Sequence, residues 1–205
     1  MLHFWEERYR AEAYAYGTAP NQFFKSQLDQ VDWPGKILLP AEGEGRNGVY
    51  AAQQGWSVEA YDWSPAAHQK ALQLAEEKGV AFDEYHIASL EKLEWLDGYF
   101  DAIACIFVQY PSAYRRANHQ KLARSLRSGG VFILEAFSQK HPEAQALNPQ
   151  VGGPKNIDQL YVLDEVLEDI TGMDWQIATE TTTHLNEGLY HQGEGSVIRL
   201  MGTKK

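Results

Sequence analysis

The chain holds a single cysteine, Cys105, so no disulfide can form within it, and its place in the apolar run from Ala102 to Ile106 reads as a buried small hydrophobe. Cations are also scarce, with 18 Lys and Arg against 28 Asp and Glu and a formal charge of −10. A nucleic-acid surface needs a basic stripe to neutralise phosphates, so this balance argues against one. The pairs Arg115-Arg116 and Lys204-Lys205 read as solvated faces or a tail. No apolar stretch approaches the roughly 20 residues that span a bilayer. The first residues, with Glu6, Glu7 and Arg8, lack the apolar core of a signal peptide, so a cytoplasmic protein is expected. There is no internal repeat, no low-complexity tract, no Walker loop and no triad pattern. His184 and His191 have no third ligand at metal-like spacing, so no metal site is expected.

What is present is a rhythm. With 205 residues, 44% of them hydrophobic, the chain fits one domain with a sizeable core. Short apolar runs near 37–41, 57–61, 82–87, 100–107 and 130–136 alternate with helix-length segments, which predicts a mostly parallel sheet covered on both faces. One helix is expected from Pro65 to Lys78, capped by Ser64 and stopped by Gly79. A second is expected over 112–127, capped by Ser112 and ended by Gly129-Gly130, and a third over 158–170. Residues 175–183 and 195–203 alternate polar and apolar with no helix between them, so the sheet should finish in an antiparallel hairpin with 184–194 as a long loop. The resulting fold class is α/β: a Rossmann-like sheet with a C-terminal antiparallel hairpin. Residues 1–30 read as an N-terminal helical lid segment and 31–205 as the single domain beneath it.

The chemistry concentrates after the first predicted strand. Gly43, Gly45 and Gly48 match G-x-G-x-x-G, and Asp62 follows 19 positions after Gly43, where such a fold presents a carboxylate to ribose hydroxyls. The alternative for Asp62 is a surface acid beside the helix cap at Ser64. A pyrophosphate needs bare N–H groups, yet Glu42 and Glu44 crowd this turn. S-adenosylmethionine (SAM) carries a sulfonium and an ammonium, which carboxylates favour, so SAM is preferred over NAD. A nicotinamide-dependent oxidoreductase and a non-catalytic SAM-binding protein are the alternatives.

Three stretches carry a resemblance: Trp5-Glu6-Glu7-Arg8-Tyr9 with Tyr16-Gly17-Thr18-Ala19-Pro20-Asn21, then Glu42-Gly43-Glu44-Gly45-Arg46-Asn47, then Glu187-Gly188-Leu189-Tyr190-His191-Gln192-Gly193. With them the chain resembles class I SAM-dependent methyltransferases, in the branch close to tellurite-resistance and thiopurine-type enzymes. The resemblance implies that Ala41, Glu42, Gly43, Gly45 and Asn47 cradle the methionine moiety. It implies that Asp62 and Ser64 lie by the ribose, Trp63 against adenine and Ser89-Leu90 at its amino edge, while Ile106 to Gln109, Phe107 included, line the sulfonium side. Two positions depart from the pattern. Leu39 stands where an acid usually closes the first strand, leaving the sulfonium to Glu42, and Ser89 stands where an acid usually follows the third strand.

For the acceptor side, His191 sits between Gly188 and Gly193, Glu135 ends a strand toward the same crevice, and Tyr16 precedes a Gly-Thr-Ala-Pro break. A structural role is the alternative for each. The function expected is methyl transfer from SAM to a small molecule, such as a thiol, a chalcogen oxyanion or a xenobiotic, with S-adenosylhomocysteine as product. A hydroxyl or amine acceptor would need a base, and His191 or Glu135 is placed to supply it. Arg46 and Asn47 open a helix, as caps or partners of Glu42. The loop over 137–157 reads as either an ordinary excursion or a substrate cover.

Overall fold

A computed structural model describes residues 2–205. Seven strands form one sheet in the order β3-β2-β1-β4-β5-β7-β6: β1 (Lys36–Pro40), β2 (Ser57–Asp62), β3 (Glu84–Ile87), β4 (Phe100–Ile106), β5 (Leu126–Phe137), β6 (Met173–Glu187) and β7 (His191–Lys204). The first five pair in parallel, and β7 runs antiparallel between β5 and β6. Ile37, Leu38 and Leu39 in β1 are all 0% exposed, as befits a central parallel strand covered on both faces.

The helices divide between those faces. α5 (Ser112–Ser125) and α7 (Leu163–Asp169) pack Leu122, Val166 and their neighbours onto one layer with Leu38, Phe132 and Leu200. On the other face, α2 (Gln22–Leu28) and α3 (Arg46–Gln53) cover Ile37, Leu39 and Ile133 with Phe23, Phe24 and Ala51. Cys105 is buried at 1%, in the first of these layers. α4 (Pro65–Glu77) flanks α3, and α1 (Leu2–Tyr9) lies on α4. Ser64 caps α4 through Ala67 N–H at 3.1 Å, and Gly79 stops it at φ 69°.

Five local expectations need correction. α5 starts one residue earlier in its capping: Pro111 is the cap, and Ser112 turns its hydroxyl to Asp158. That helix ends at Ser125, and Gly129-Gly130 belong to β5, where the register shifts and a Cβ on Gly130 would fall 2.8 Å from the Asp101 carbonyl. The predicted helix over 158–170 shortens to α7, because Tyr161 leaves helical geometry to bridge Ser138 and to donate its buried hydroxyl to Val108 O at 2.8 Å. The predicted loop over 184–194 is mostly strand. β6 and β7 pair from Met173↔Lys204 to Glu187↔His191, and only residues 188–190 turn. The stretch over 137–157 likewise contains α6 (His141–Leu147) and a short turn at Pro149–Val151.

Candidate active site

The carboxyl ends of β1 and β4, adjacent in the sheet, both stop on a non-glycine residue with positive φ: Ala41 at 46° and Phe107 at 55°. Such residues cost about 1–3 kcal/mol and mark where a chain is bent for a purpose. Beyond Ala41, Glu42 folds back and accepts Asn47 N–H at 2.8 Å and Gly48 N–H at 2.7 Å, satisfying two orphan donors at the start of α3. Asp62, at the end of β2, accepts Gly43 N–H at 3.1 Å and Ser64 N–H at 2.9 Å. Both carboxyls are buried, Glu42 at 8% and Asp62 at 4% exposure. Burial pushes Glu42 up to about 7 and Asp62 up to about 6, against the hydrogen bonds that favour their ions.

The three glycines of the turn serve different ends. A Cβ on Gly43 would lie 2.9 Å from the Tyr9 hydroxyl, whereas one on Gly45 would strike Ala71 Cβ at 2.7 Å and one on Gly48 the Phe82 ring at 2.3 Å. Gly45 and Gly48 thus permit α3 to pack on its neighbours, and close approach at this turn is left to Gly43. Glu44 is not free either. It pairs with Lys70 Nζ at 2.5 Å and accepts Ala15 N–H at 2.8 Å. The repulsion expected from two acids here reduces to Glu42 and Asp62.

The N-terminal segment closes over these strand ends. Glu6 accepts the Ser64 hydroxyl and Ala66 N–H, so Ser64 is already engaged on both sides. Trp5 stacks on Tyr9 at 5.6 Å. Further along, Leu189 N–H donates to Ala15 O at 2.8 Å, and a Cβ on Gly188 would fall 2.4 Å from Gly17 N. Backbone meets backbone there, which is why Gly188 is glycine, while Gly17 is required by its φ of 71°. The first and third motif stretches are in this way one structural unit.

His191 lies inside that unit, 3% exposed and ringed by Tyr16 at 4.5 Å, Phe107 at 4.6 Å and Phe137 at 5.2 Å. Its Nδ1 is 3.0 Å from Glu187 Oε2, and burial lowers its affinity for a proton. Tyr16 accepts Arg8 Nη1 at 2.7 Å, and burial raises its pKa, so the phenol keeps its proton to donate. Glu135 is 0% exposed and fully committed: Oε1 takes Arg199 Nε at 2.6 Å and Oε2 takes Asn21 Nδ2 at 2.5 Å. Burial raises its pKa against the Arg199 charge. Each oxygen of the Glu135 carboxylate, expected as a base, is thus engaged by a protein donor. Arg46 pairs with Glu187 at 3.0 Å, and Asn47 accepts Asn21 N–H at 2.9 Å.

Other expected contacts are spent elsewhere. Gln109 ties β4 to the following loops, accepting Phe137 N–H at 2.7 Å and donating to Gln159 O. The Leu90 side chain is 2% exposed within the core, leaving only its backbone for a ligand, and Ser89 serves Glu91, whose carboxyl it holds below the ordinary range. Trp63 is half-buried beside Asp62.

A family model described as a methyltransferase domain matches residues 39–134, from β1 through β5. This match supports a SAM-dependent methyltransferase, carried on the class I methyltransferase fold. The chain is 24% identical over 170 residues to a 2-heptyl-1-hydroxyquinolin-4(1H)-one methyltransferase of Mycobacteroides abscessus, a match covering 82% of this chain and 69% of that protein. Its fold is shared with a protein solved for the conversion of a disulfide into a thioacetal in echinomycin biosynthesis, with TM-score 0.80, 17% identity and coverage of 100% and 92% of the two chains. TehB of Haemophilus influenzae has the same fold at TM-score 0.70 and 14% identity, over 100% of this chain and 67% of that one.

The donor set of the methyltransferase fits its cofactor. Burial raises two carboxyls at neighbouring strand ends, and SAM brings two cationic centres that would favour their ions. Sequence reasoning passed over Tyr9, Asn21, Arg199 and the carboxylate of Glu187. Glu187 and Asn21 did lie in the quoted motifs; the 166 positions between them concealed that they touch, at 2.8 Å.

Proposed function

We propose that this methyltransferase acts on a small molecule bearing an acidic hydroxyl on a flat ring, with His191 as the base that takes the proton. The observation that carries the reading is the contrast between two candidates: Glu135 has both oxygens committed to Arg199 and Asn21, while His191 engages only Nδ1. Nε2 has no partner among the described residues, and the rings of Tyr16, Phe107 and Phe137 pack about the imidazole, an aromatic surround that suits a planar acceptor. The relative from Mycobacteroides abscessus is named for an N-hydroxyquinolone, a hydroxyl of this kind. The thiols and chalcogen oxyanions of the tellurite-resistance and thiopurine branch ionise readily and would leave His191 idle.

In this reading Glu42 and Asp62 hold the cofactor's cationic and ribose ends, Gly43 gives it room, and Trp63 covers adenine. SAM supplies an electrophilic methyl group when bound. Residues 1–30 act as a lid that excludes water, and the Tyr16 phenol keeps its proton and offers a hydrogen bond to the acceptor oxygen. Radiolabelled methyl transfer from SAM to phenols, N-hydroxy heteroaromatics and thiols, assayed in parallel, tests the reading. It expects incorporation into the first two classes and its loss in His191→Gln. Methylation of thiols alone, undiminished in that variant, would remove the base role.

A further inference from the structure

Three parts of the chain converge on Glu187, at the end of β6. Its Oε2 is 3.0 Å from His191 Nδ1 and 3.0 Å from Arg46 Nη2, and its Oε1 is 2.8 Å from Asn21 Nδ2. The group is 8% exposed. Burial alone would push its pKa up, but the His191 hydrogen bond and the Arg46 charge outweigh it and hold the carboxyl at about 2. It is ionised at every working pH.

An ionised carboxylate can only accept hydrogen bonds, so the proton between the two residues belongs to Nδ1 of His191. In the neutral ring the lone pair is then on Nε2. Arg46 and Asn21 hold Glu187 from the other sides, one from the start of α3 and one from the N-terminal segment. Gly152, whose Cβ would fall 3.0 Å from His191 Cδ2, backs the ring from the stretch after α6. With two donors fixing the carboxylate and three rings fixing the imidazole, neither partner is free to turn.

We propose that Glu187 is a positioning residue for methyl transfer, holding His191 in the Nδ1–H tautomer with a bare Nε2 aimed at the acceptor proton. The inference rests on the reading of His191 as base. The acceptor O–H bond breaks, its pair stays on oxygen, and the proton goes to Nε2. The imidazolium so formed lies against the Glu187 carboxylate, which stabilises it, and later loses its proton to water. Because Asn21 and Arg46 are part of the same cluster, the base is assembled only when the N-terminal segment lies closed over the glycine turn.

The charges that face His191 are Glu187 from the hairpin, Arg46 from α3 and His141 from α6, with the Tyr16 phenol on the N-terminal side and Glu135 reached through Asn21. Removing the carboxylate leaves Arg46 and His141 unopposed, so the His191 midpoint must fall.

The test is a pH titration of 15N-histidine-labelled protein by nuclear magnetic resonance in the presence of S-adenosylhomocysteine, with His191→Gln giving the assignment. The wild-type spectrum, which needs no folded variant, should show a protonated Nδ1 and a bare Nε2. In Glu187→Gln the midpoint should drop by about one pH unit or more, with both tautomers present. With a phenol that proves active, the rising limb of kcat/KM should move by the same amount while the KM for SAM holds. A bare Nδ1 in the wild type, or an unchanged midpoint and tautomer in Glu187→Gln, overturns the proposal. If the tautomer is as expected but His191→Gln methylates the phenol normally, the base reading falls and the positioning role with it.

Discussion

Tyr9 stands over Gly43 so closely that a single added Cβ would lie 2.9 Å from its hydroxyl oxygen. The N-terminal segment thus rests directly on the glycine turn, at a residue whose φ of 63° already disfavours any side chain. Gly43→Ala should therefore displace the N-terminal segment, lowering SAM affinity at least tenfold for a stability loss of about 1–2 kcal/mol. Gly45→Ala collides instead with the backbone and Cβ of Ala71 in α4 and should cost about 3 kcal/mol or more, read as a larger fall in Tm. Equal effects on binding and stability in the two variants would count against this division of labour.

Glu42 offers a test of charge. Its folded pKa is raised to about 7 by burial, so folding favours the protonated form. Its contribution is fully present below the ordinary glutamate range and is lost as pH rises through about 7, by up to about 3 kcal/mol. Glu42→Gln keeps an acceptor for the start of α3 without the charge. The difference in Tm between variant and parent, both free of cofactor, should favour the variant by more at pH 8 than at pH 5. A difference independent of pH would mean that Glu42 is compensated by a cation.

The same logic sets the pH dependence of binding. Asp62 is raised to about 6 by burial and must be ionised to hold ribose hydroxyls through charge-assisted bonds. Calorimetric affinity for SAM should therefore rise with pH from 5 to 8, with proton release on binding. Asp62→Asn should lower affinity by about 10- to 100-fold and flatten the part of the profile near pH 6. Unchanged affinity would reduce Asp62 to an anchor of the turn through Gly43 and Ser64.

Glu135 should behave as a structural residue. Glu135→Gln leaves Arg199 facing a neutral partner at the core of the sheet, so stability should fall by about 3 kcal/mol. Activity measured well below the new Tm should retain its pH profile, because His191 and Glu187 are intact. A lost or shifted rising limb would restore Glu135 as a base.

The sheet was legible because parallel strands buried on both faces are continuous apolar runs; Ile37 to Leu39 and Phe100 to Ile106 announce themselves. The long hairpin was less so. Residues 184–194 carry His184, Asn186, Glu194 and two glycines, which suggest a loop, yet His184 and Glu194 are opposite one another and bond across the strands at 2.9 Å. Gly193 and Gly188 are there for close contacts with Asn148 and Gly17, which only the folded chain reveals.

The site was legible in its types more than in its partners. The motif around Glu42 and Asp62 sits at the strand ends as expected, but Glu44 is neutralised by Lys70, a residue on α4, three elements downstream. The sequence offered His191 first and Glu135 second as acceptor-side residues, with nothing in it to show their partners. Arg199, 64 positions beyond Glu135, separates them by engaging the carboxylate, while Nε2 of His191 has no partner among the described residues. Periodicity carries no information on such pairings, because they depend on which strand ends meet.

A crystal structure with S-adenosylhomocysteine tests the central claim most directly. The account predicts the ribose hydroxyls within hydrogen-bond distance of Asp62, about 2.5–3.2 Å, the sulfur on the side of Phe107, and His191 Nε2 facing the space beyond the sulfur where an acceptor would approach. A ligand seated away from Asp62, or Nε2 turned from the sulfur and filled by a protein donor, would contradict it.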